Sequence, residues 1–176
     1  MRTRDDDSFR RFAADHAAML RRSAFLFCGD WHTAEDLMQQ SLLKIYRSWS
    51  RVQRQETVTR YARTVLLRTW LDEKRRPFRR SEQSAADVPE VVDGSADPEA
   101  SAGRVWERDL VHRALLEVAP RQRAVLVLRY FDDLSVAETA AIMRCAEGTV
   151  KSQAARGLEA LRAAMARLGV TGRVGS

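Results

Sequence analysis

The sequence predicts an all-α protein of two small helical domains joined by an acidic linker. At both ends of the chain, apolar residues recur at spacings of three and four, the period of an α-helix, and no segment alternates as a strand would. Residues 79–103 are instead rich in Ser, Ala, Pro, Gly and acids and have no periodic apolar pattern. The predicted domains are therefore 5–78 and 104–168, with a short tail at 169–176.

The first domain is predicted to contain three to four helices. The first helix follows an acidic start at Asp5–Asp7, which suits a helix N-terminus, and residues 29–30 interrupt it. The second helix spans 33–49, and we expect Thr33 to be its N-cap because an acid follows three residues later. The third spans 58–76 and ends in a run of cations.

The second domain is predicted to have four helices, and its most informative part is the segment 135–161. Ser135 and Glu138 have the spacing of a capping box, which marks the start of a short helix. A break at 144–148 separates that helix from a longer one, and we expect Gly148 to supply the relaxed backbone position of the turn. Two short helices joined by a tight turn are the sequence form of a helix-turn-helix.

The second helix of this pair has a polar outer face. Val150, Ala154 and Leu158 recur at helical spacing and face the domain core. The side chains that project outward in the first two turns are Thr149, Lys151, Ser152, Gln153 and Arg156. Ser and Gln can bond base edges, and Lys and Arg suit phosphates or guanine, so this face predicts DNA binding in the major groove. An ordinary helical hairpin with a solvated face is the alternative.

The charge distribution supports a polyanionic partner. The chain carries a net charge of +6, with 18 Lys/Arg against 10 Asp/Glu in residues 1–80, 2 against 8 in 81–109, and 10 against 6 in 110–176. Two basic blocks therefore flank an acidic connector, and basic domains are typical of nucleic-acid-binding proteins.

The third predicted helix and the turn before it combine cations with aromatic residues. Cations follow phosphates and aromatic faces stack on exposed bases, so this set predicts contact with nucleic acid. Tyr61 and Trp70 could instead belong to the hydrophobic core, and the cations could form a solvated face. The candidate residues are Arg54, Arg60, Tyr61, Arg63, Arg68, Trp70, Lys74, Arg75 and Arg76.

The helix 33–49 has a different character. Its exposed face is predicted to carry Glu35, Asp36, Gln39, Gln40 and Lys44 beside apolar residues. Because acids repel phosphate, such a mixed face more often contacts protein than DNA.

No catalytic motif, phosphate-binding Gly loop or metal-ligand spacing is present, so we expect a non-enzyme without cofactor, metal or small-molecule substrate. Cys28 and Cys145 lie far apart, which suggests a reducing compartment. No signal peptide or apolar run of about 20 residues occurs, so we expect a soluble, cytoplasmic protein without membrane insertion.

Three segments in this order resemble the bacterial extracytoplasmic-function, or group IV, sigma factors of the sigma-70 family, with a weaker likeness to a small actinobacterial-type subgroup. The segments are AEDLMQQSLLKIYRSW (34–49), YARTVLLRTWLDEKRR (61–76) and LEVAPRQRAVLVLRYFDDLSVAETAAIMRCAEGTVKSQAARGLEALR (116–162). The resemblance implies a sigma-2-like domain, a flexible linker and a sigma-4-like helix-turn-helix domain. It also implies a transcription initiation factor that binds core RNA polymerase and promoter DNA, for which an anti-sigma factor is a candidate regulator.

The resemblance also assigns roles to the candidate residues. The outward face of the last helix would read the −35 promoter element, and the basic aromatic set would bind and melt the −10 element. Core RNA polymerase would be bound through Glu35, Asp36, Leu37, Gln39 and Gln40. Arg68 and Gln153 depart from the residues common in the family, so promoter preference cannot be copied from relatives. Gln40 stands where the family usually has an acid, so one polymerase contact is expected to be weaker.

The main alternative is a free-standing helix-turn-helix regulator that binds duplex operator DNA. That class predicts a receiver or ligand-binding α/β domain upstream, and the first 80 residues show no strands. A helical adaptor protein is a further alternative, but it leaves the polar face of the last helix without a role.

Overall fold

The computed structural model describes residues 2–76 and 98–169, with side chains from residues 3 and 103 onward in these two ranges. These residues form helices and turns, and none of them belongs to a strand, as the all-α prediction requires. The helices are α1 (Arg2–Cys28), α2 (Trp31–Arg47), α3 (Trp49–Val52), α4 (Val58–Lys74), α5 (Pro98–Glu117), α6 (Pro120–Leu126), α7 (Val136–Met143) and α8 (Glu147–Arg167), with a π-helical turn at Val127–Phe131.

Helices α1, α2 and α4 pack together in the first half of the chain. Their apolar stripes are buried against one another, with Leu20, Leu37 and Leu66 at most 1% exposed. α1 begins at Arg2, before the acidic residues Asp5–Asp7. α2 is followed by the single helical turn of α3. The prediction of three to four helices is therefore confirmed for this half.

The turn between α1 and α2 is made by Gly29 and Asp30. Gly29 has a φ of +77°, a conformation that L side chains rarely adopt. Asp30 is the N-cap of α2, because its carboxylate accepts hydrogen bonds from the Thr33 backbone N–H at 2.8 Å and the Thr33 hydroxyl at 2.7 Å. The prediction that Thr33 caps this helix is wrong: an acid three residues upstream takes the role.

Helices α5 to α8 form the second half. The backbone of α8 approaches α6 at Gly157, where a Cβ would lie 3.0 Å from the Leu126 Cγ. Gly148 lies inside the first turn of α8 and is open to solvent, so it does not form the turn. The left-handed residue is Arg144, with a φ of +51°, directly after α7.

Helix α5 begins at Pro98, inside the segment predicted as linker. The last six residues of that segment, 98–103, therefore have helical backbone. Residues 79–97 of the predicted linker and 170–176 of the predicted tail lie outside the described residues.

The two halves share one hydrophobic core. The larger cluster of buried apolar side chains joins Phe27 and Trp70 from the first half to Leu115, Leu126 and Ile142 from the second. The described halves are thus packed directly against each other, with α1 and α4 facing the helices of the second half.

Candidate nucleic-acid interface

Helix α8 presents the polar face that its sequence predicts. Val150 is fully buried and Ala154 nearly so, and these residues fix the helix against α6 and α7. Of the outward set, Gln153 is half-buried, and the exposed members are Thr149, Lys151, Ser152 and Arg156. The Ser152 hydroxyl donates to the Thr149 carbonyl at 3.1 Å, a local bond that a base edge could replace. The first two turns of α8 therefore offer both cations and hydroxyl groups to a groove.

The orientation of α8 depends on α7, which the capping box starts. The Ser135 hydroxyl accepts from the Glu138 N–H at 3.0 Å, and the Glu138 carboxylate accepts from the Ser135 N–H at 2.7 Å. These bonds hold the pKa of Glu138 below its usual range, and the nearby charges of Arg60 and Arg63 lower it further. The predicted capping box is present with both of its bonds.

Helix α4 presents a row of cations. Of the residues predicted to bind nucleic acid here, the exposed ones are Arg54, Arg60, Arg68, Arg75 and Arg76, and the half-buried ones are Tyr61, Arg63 and Lys74. Arg54 lies in the turn before α4 rather than on the helix. The exposed cations lie along α4 and just beyond its end, where they can reach phosphates.

Trp70 does not belong to this exposed set. It is 2% exposed and stacks on Phe27 with ring centres 4.9 Å apart. The Lys74 ammonium lies 5.5 Å from the centre of the same ring. The prediction that Trp70 stacks on a base requires correction, because an aromatic residue on the inner stripe of an amphipathic helix packs into the core.

The outward face of α2 carries a mixture of polar and apolar groups. Asp36 and Gln39 are exposed, while Glu35 pairs with Arg21 at 2.9 Å and Gln40 lies 3.5 Å from the carboxylate of Glu73. Leu37 is 1% exposed and is a core side chain, so it cannot contact a protein partner directly. This is a second correction, with the same physical reason as Trp70.

Two apolar members of the same face were missed by sequence reasoning. Leu43 is 51% exposed and Tyr46 is 45% exposed, and the Tyr46 hydroxyl donates to Asp6 at 2.7 Å. They follow Asp36 and Gln39 at helical spacings of seven residues, which is a signal that the sequence contains. The helical period, applied from Asp36 and Gln39, places both residues on the exposed face.

Arg123 was also missed, although it stands in an otherwise apolar stretch. Its guanidinium is 3% exposed and donates to the carbonyls of Phe27 at 2.6 Å, Leu116 at 2.9 Å and Val118 at 2.9 Å. Burial lowers the pKa of Arg123 to about 10, which leaves it charged at neutral pH. An arginine in a run of core residues is a recognisable signal for a buried polar link, but its partners cannot be read from the sequence.

The described residues hold no cluster of His, Cys, Asp and Glu side chains suited to a metal ion. Burial raises the pKa of the Cys28 thiol to about 11, which makes it a poor nucleophile. Within residues 2–76 and 98–169, no helix combines the length and the apolar character needed to cross a membrane.

Comparison with known proteins identifies the family. Residues 12–80 match the model for sigma-70 region 2, and residues 108–161 match the model for sigma-70 region 4. The chain is 35% identical over 164 residues to the ECF RNA polymerase sigma factor SigL of Mycobacterium tuberculosis, covering 89% of this chain and 88% of the relative. It is 32% identical over 155 residues to the RNA polymerase sigma-E factor of Streptomyces avermitilis, covering 88% and 83%.

The fold agrees with these matches. The sigma factor RpoE of Bartonella quintana, solved in complex with the anti-sigma factor NepR, superimposes with a TM-score of 0.70 at 22% identity, covering 89% of this chain and 96% of RpoE. The fold defines a class of protein: a two-domain helical protein with a helix-turn-helix. More narrowly, the chain belongs to the extracytoplasmic-function sigma factors of the sigma-70 family, which direct RNA polymerase to specific promoters. The matches favour this class over a free-standing regulator.

Proposed function

We propose that the chain binds core RNA polymerase through α2 and reads two promoter elements through α8 and α4. The observation that carries this proposal is the presence of two separate cationic helices, α4 and α8, on a chain whose α2 face is mixed acidic and apolar. Cationic helices suit DNA, whereas an acidic and apolar face suits a protein. The assignment of residues follows from their exposure.

For the −35 element, we propose the exposed polar set at the start of α8. Arg156 and Lys151 can reach phosphates or guanine, and Ser152 can bond a base edge. The predicted Gln153 stays in the set because it is half-buried rather than covered. One helix-turn-helix has a small interface, so recognition by α8 alone would be weak.

For the −10 element, we propose the cations of α4 together with Tyr61. A base that leaves the duplex loses stacking worth a few kcal/mol, which an aromatic face and cations can offset. Tyr61 remains partly accessible, while Trp70 acts only as core support. The proposed set is Arg54, Arg60, Tyr61, Arg63, Arg68, Lys74, Arg75 and Arg76.

For core RNA polymerase, we propose the α2 face formed by Asp36, Gln39, Leu43 and Tyr46. Glu35 and Gln40 lie at its edges and are engaged with neighbours on the chain itself. The chain performs no bond chemistry in this scheme, because the polymerase synthesises the RNA. The chain would then act in the cytoplasm, where transcription takes place. An anti-sigma factor is a candidate regulator, because RpoE was solved in complex with one.

The proposal is tested by transcription in vitro. The purified chain is mixed with bacterial core RNA polymerase and a library of promoter fragments, and the 5′ ends of the transcripts are sequenced. We expect transcripts to begin at defined positions downstream of a shared pair of elements. Transcripts that start at random, or that do not depend on the chain, would contradict the proposal.

Variants separate the roles of α8 and α2. Arg156→Ala should lower promoter-specific transcription about tenfold while leaving polymerase binding intact, because a phosphate or guanine contact is worth about 1–3 kcal/mol. Arg162→Ala, also exposed on α8 but on another side, is the matched control. Asp36→Ala with Gln39→Ala should weaken polymerase binding, with Asp15→Ala on α1 as its control.

A further inference from the structure

The turn that leads into α7 contacts the cationic face of α4. The Asp132 carboxylate is fully buried, and its Oδ2 lies 2.5 Å from a terminal nitrogen of Arg63, whose side chain is 14% exposed. The N–H of Arg63 is not aligned for a hydrogen bond, so the contact is an ion pair. The Ser23 hydroxyl of α1 donates to both oxygens of Asp132 at 3.2 Å. A carboxylate from the second half therefore holds a cation of the first half out of solvent.

A second carboxylate faces the same cations. Glu138, in the first turn of α7, lies close enough to Arg60 and Arg63 for their charges to lower its pKa, after the stronger effect of Ser135. α7 also packs directly on α4. The turn before α7 and the first turn of α7 thus bring two negative groups near the cations of α4, and Asp132 is the one that forms an ion pair.

The packing of the two halves against each other, the closed arrangement, is also fixed at a second place. The Arg123 guanidinium of α6 bonds the carbonyl of Phe27 at the end of α1, and Leu116 packs against Gly29 so closely that a Cβ there would lie 2.5 Å from its methyl carbon. These contacts join the two halves through buried groups. The closed arrangement is therefore held by specific buried contacts.

We propose that the ion pair of Asp132 with Arg63, at the turn that leads into α7, is an autoinhibitory clasp that withholds this part of α4 from DNA. The Asp132 carboxylate pairs with a cation that a phosphate would otherwise bind, so the clasp and DNA bound at Arg63 exclude one another. The inference rests on the proposed DNA-binding role of α4. A protein whose binding-competent form is a minor population binds more weakly in proportion to that population, so opening the clasp raises DNA affinity.

The first test measures the free chain with a fluorescein-labelled 20-nucleotide oligo-dT by anisotropy. Asp132→Asn should bind the oligonucleotide about tenfold more tightly than the unmodified chain, because Arg63 loses the charge that holds it. Asp133→Asn is the matched control: it is the exposed neighbour with the same change of charge. Equal gains for the two variants would overturn the clasp, because they would reflect net charge alone.

The second test closes the clasp covalently. Ser23→Cys with Asp132→Cys, in a chain that also carries Cys28→Ser and Cys145→Ser, should form a disulfide on oxidation, because the two native side chains are in contact in the closed arrangement. The oxidised protein should bind the oligo-dT about tenfold more weakly than the same protein after reduction. Failure to cross-link, or equal affinity in both states, whether tight or absent, would overturn the clasp.

This comparison is independent of the polymerase. If the reduced protein binds the oligonucleotide better than the oxidised one but never directs polymerase to a promoter, the proposed function fails and the clasp stands. If it initiates at promoters but binds the oligonucleotide equally in both states, the function stands and the clasp fails.

Discussion

Arg123 is a single side chain that connects the ends of two helices from different halves of the chain. Its N–H groups reach the last carbonyls of α1 and α5, which carry the negative end of each helix dipole. Its charge centre also lies 5.5 Å from the centre of the Trp70 ring. A buried guanidinium is stable here because several carbonyl oxygens replace the water that it loses.

Replacing Arg123 with methionine should therefore destabilise the fold. The side-chain volume is kept, but carbonyls at two helix ends lose their partner, which costs about 2–4 kcal/mol in the free energy of unfolding. Urea denaturation followed by circular dichroism measures the loss. Arg121→Met, at an exposed position of α6, is the control and should change stability by less than about 0.5 kcal/mol. Equal losses for both variants would show that the carbonyl contacts are unimportant.

Gly29 and Gly148 make a matched pair for backbone effects. Gly29→Ala combines a left-handed backbone, φ +77°, with a Cβ 2.5 Å from Leu116, so it should lower the free energy of unfolding by about 1–3 kcal/mol. Gly148→Ala meets nothing within 4 Å and lies in a helix, so it should be neutral or stabilise by up to about 1 kcal/mol. The same urea titration compares them. A stabilised Gly29→Ala variant would contradict the assigned turn.

Helix α7 shows how an element is specified locally. Its capping box was evident from Ser135 and Glu138, because both partners lie within four residues of each other. Its C-terminal turn was not, because Arg144 adopts a left-handed φ of +51° that nothing in its residue type requires. Local hydrogen bonds can thus be predicted from spacing, whereas a left-handed backbone at a residue type that does not favour it cannot.

The capping box predicts a pH dependence. The pKa of Glu138 is lowered in the folded state, so the ionised carboxylate contributes stability above its ordinary value of 4.5 and loses that contribution as the pH falls through the lower folded pKa. Glu138→Gln removes this titration, so the difference in urea midpoint between the unmodified chain and the variant should shrink as the pH is lowered from about 7 to 3.

Glu159→Gln, an exposed acid of α8, is the control for the loss of one negative charge. The difference in urea midpoint between Glu159→Gln and the unmodified chain should change less over the same pH range. A Glu138→Gln difference that stays constant with pH would show that the folded carboxylate is not held by the cap.

Among the described residues, one large hydrophobic core joins the two halves, and a smaller cluster of Val125, Ala140, Val150 and Ala154 lies within the second half. Phe27 and Trp70 stack in the first half, and Leu115 and Leu126 of the second half complete the same cluster. The two sigma domains are separate in sequence, but the described halves bury apolar surface against each other. Their stabilities are therefore coupled in this arrangement.

This coupling predicts a single unfolding transition in urea. Trp31, Trp49 and Trp70 lie in the first half, so tryptophan fluorescence reports mainly on that half, whereas far-UV circular dichroism reports on the helices of both. The two signals should give the same midpoint, as expected for a two-state process. A biphasic dichroism curve would show that the halves unfold independently.

The sequence by itself determined the helical class, the capping box, the cationic faces of α4 and α8, and the family, because these depend on periodicity, residue type and spacing along the chain. Tertiary structure alone decided that Trp70 and Leu37 are core residues, that Leu43 and Tyr46 are exposed, and that Asp132 reaches Arg63. These facts depend on which faces of distant helices meet, and residues 69 positions apart in the chain carry no local signal of their contact.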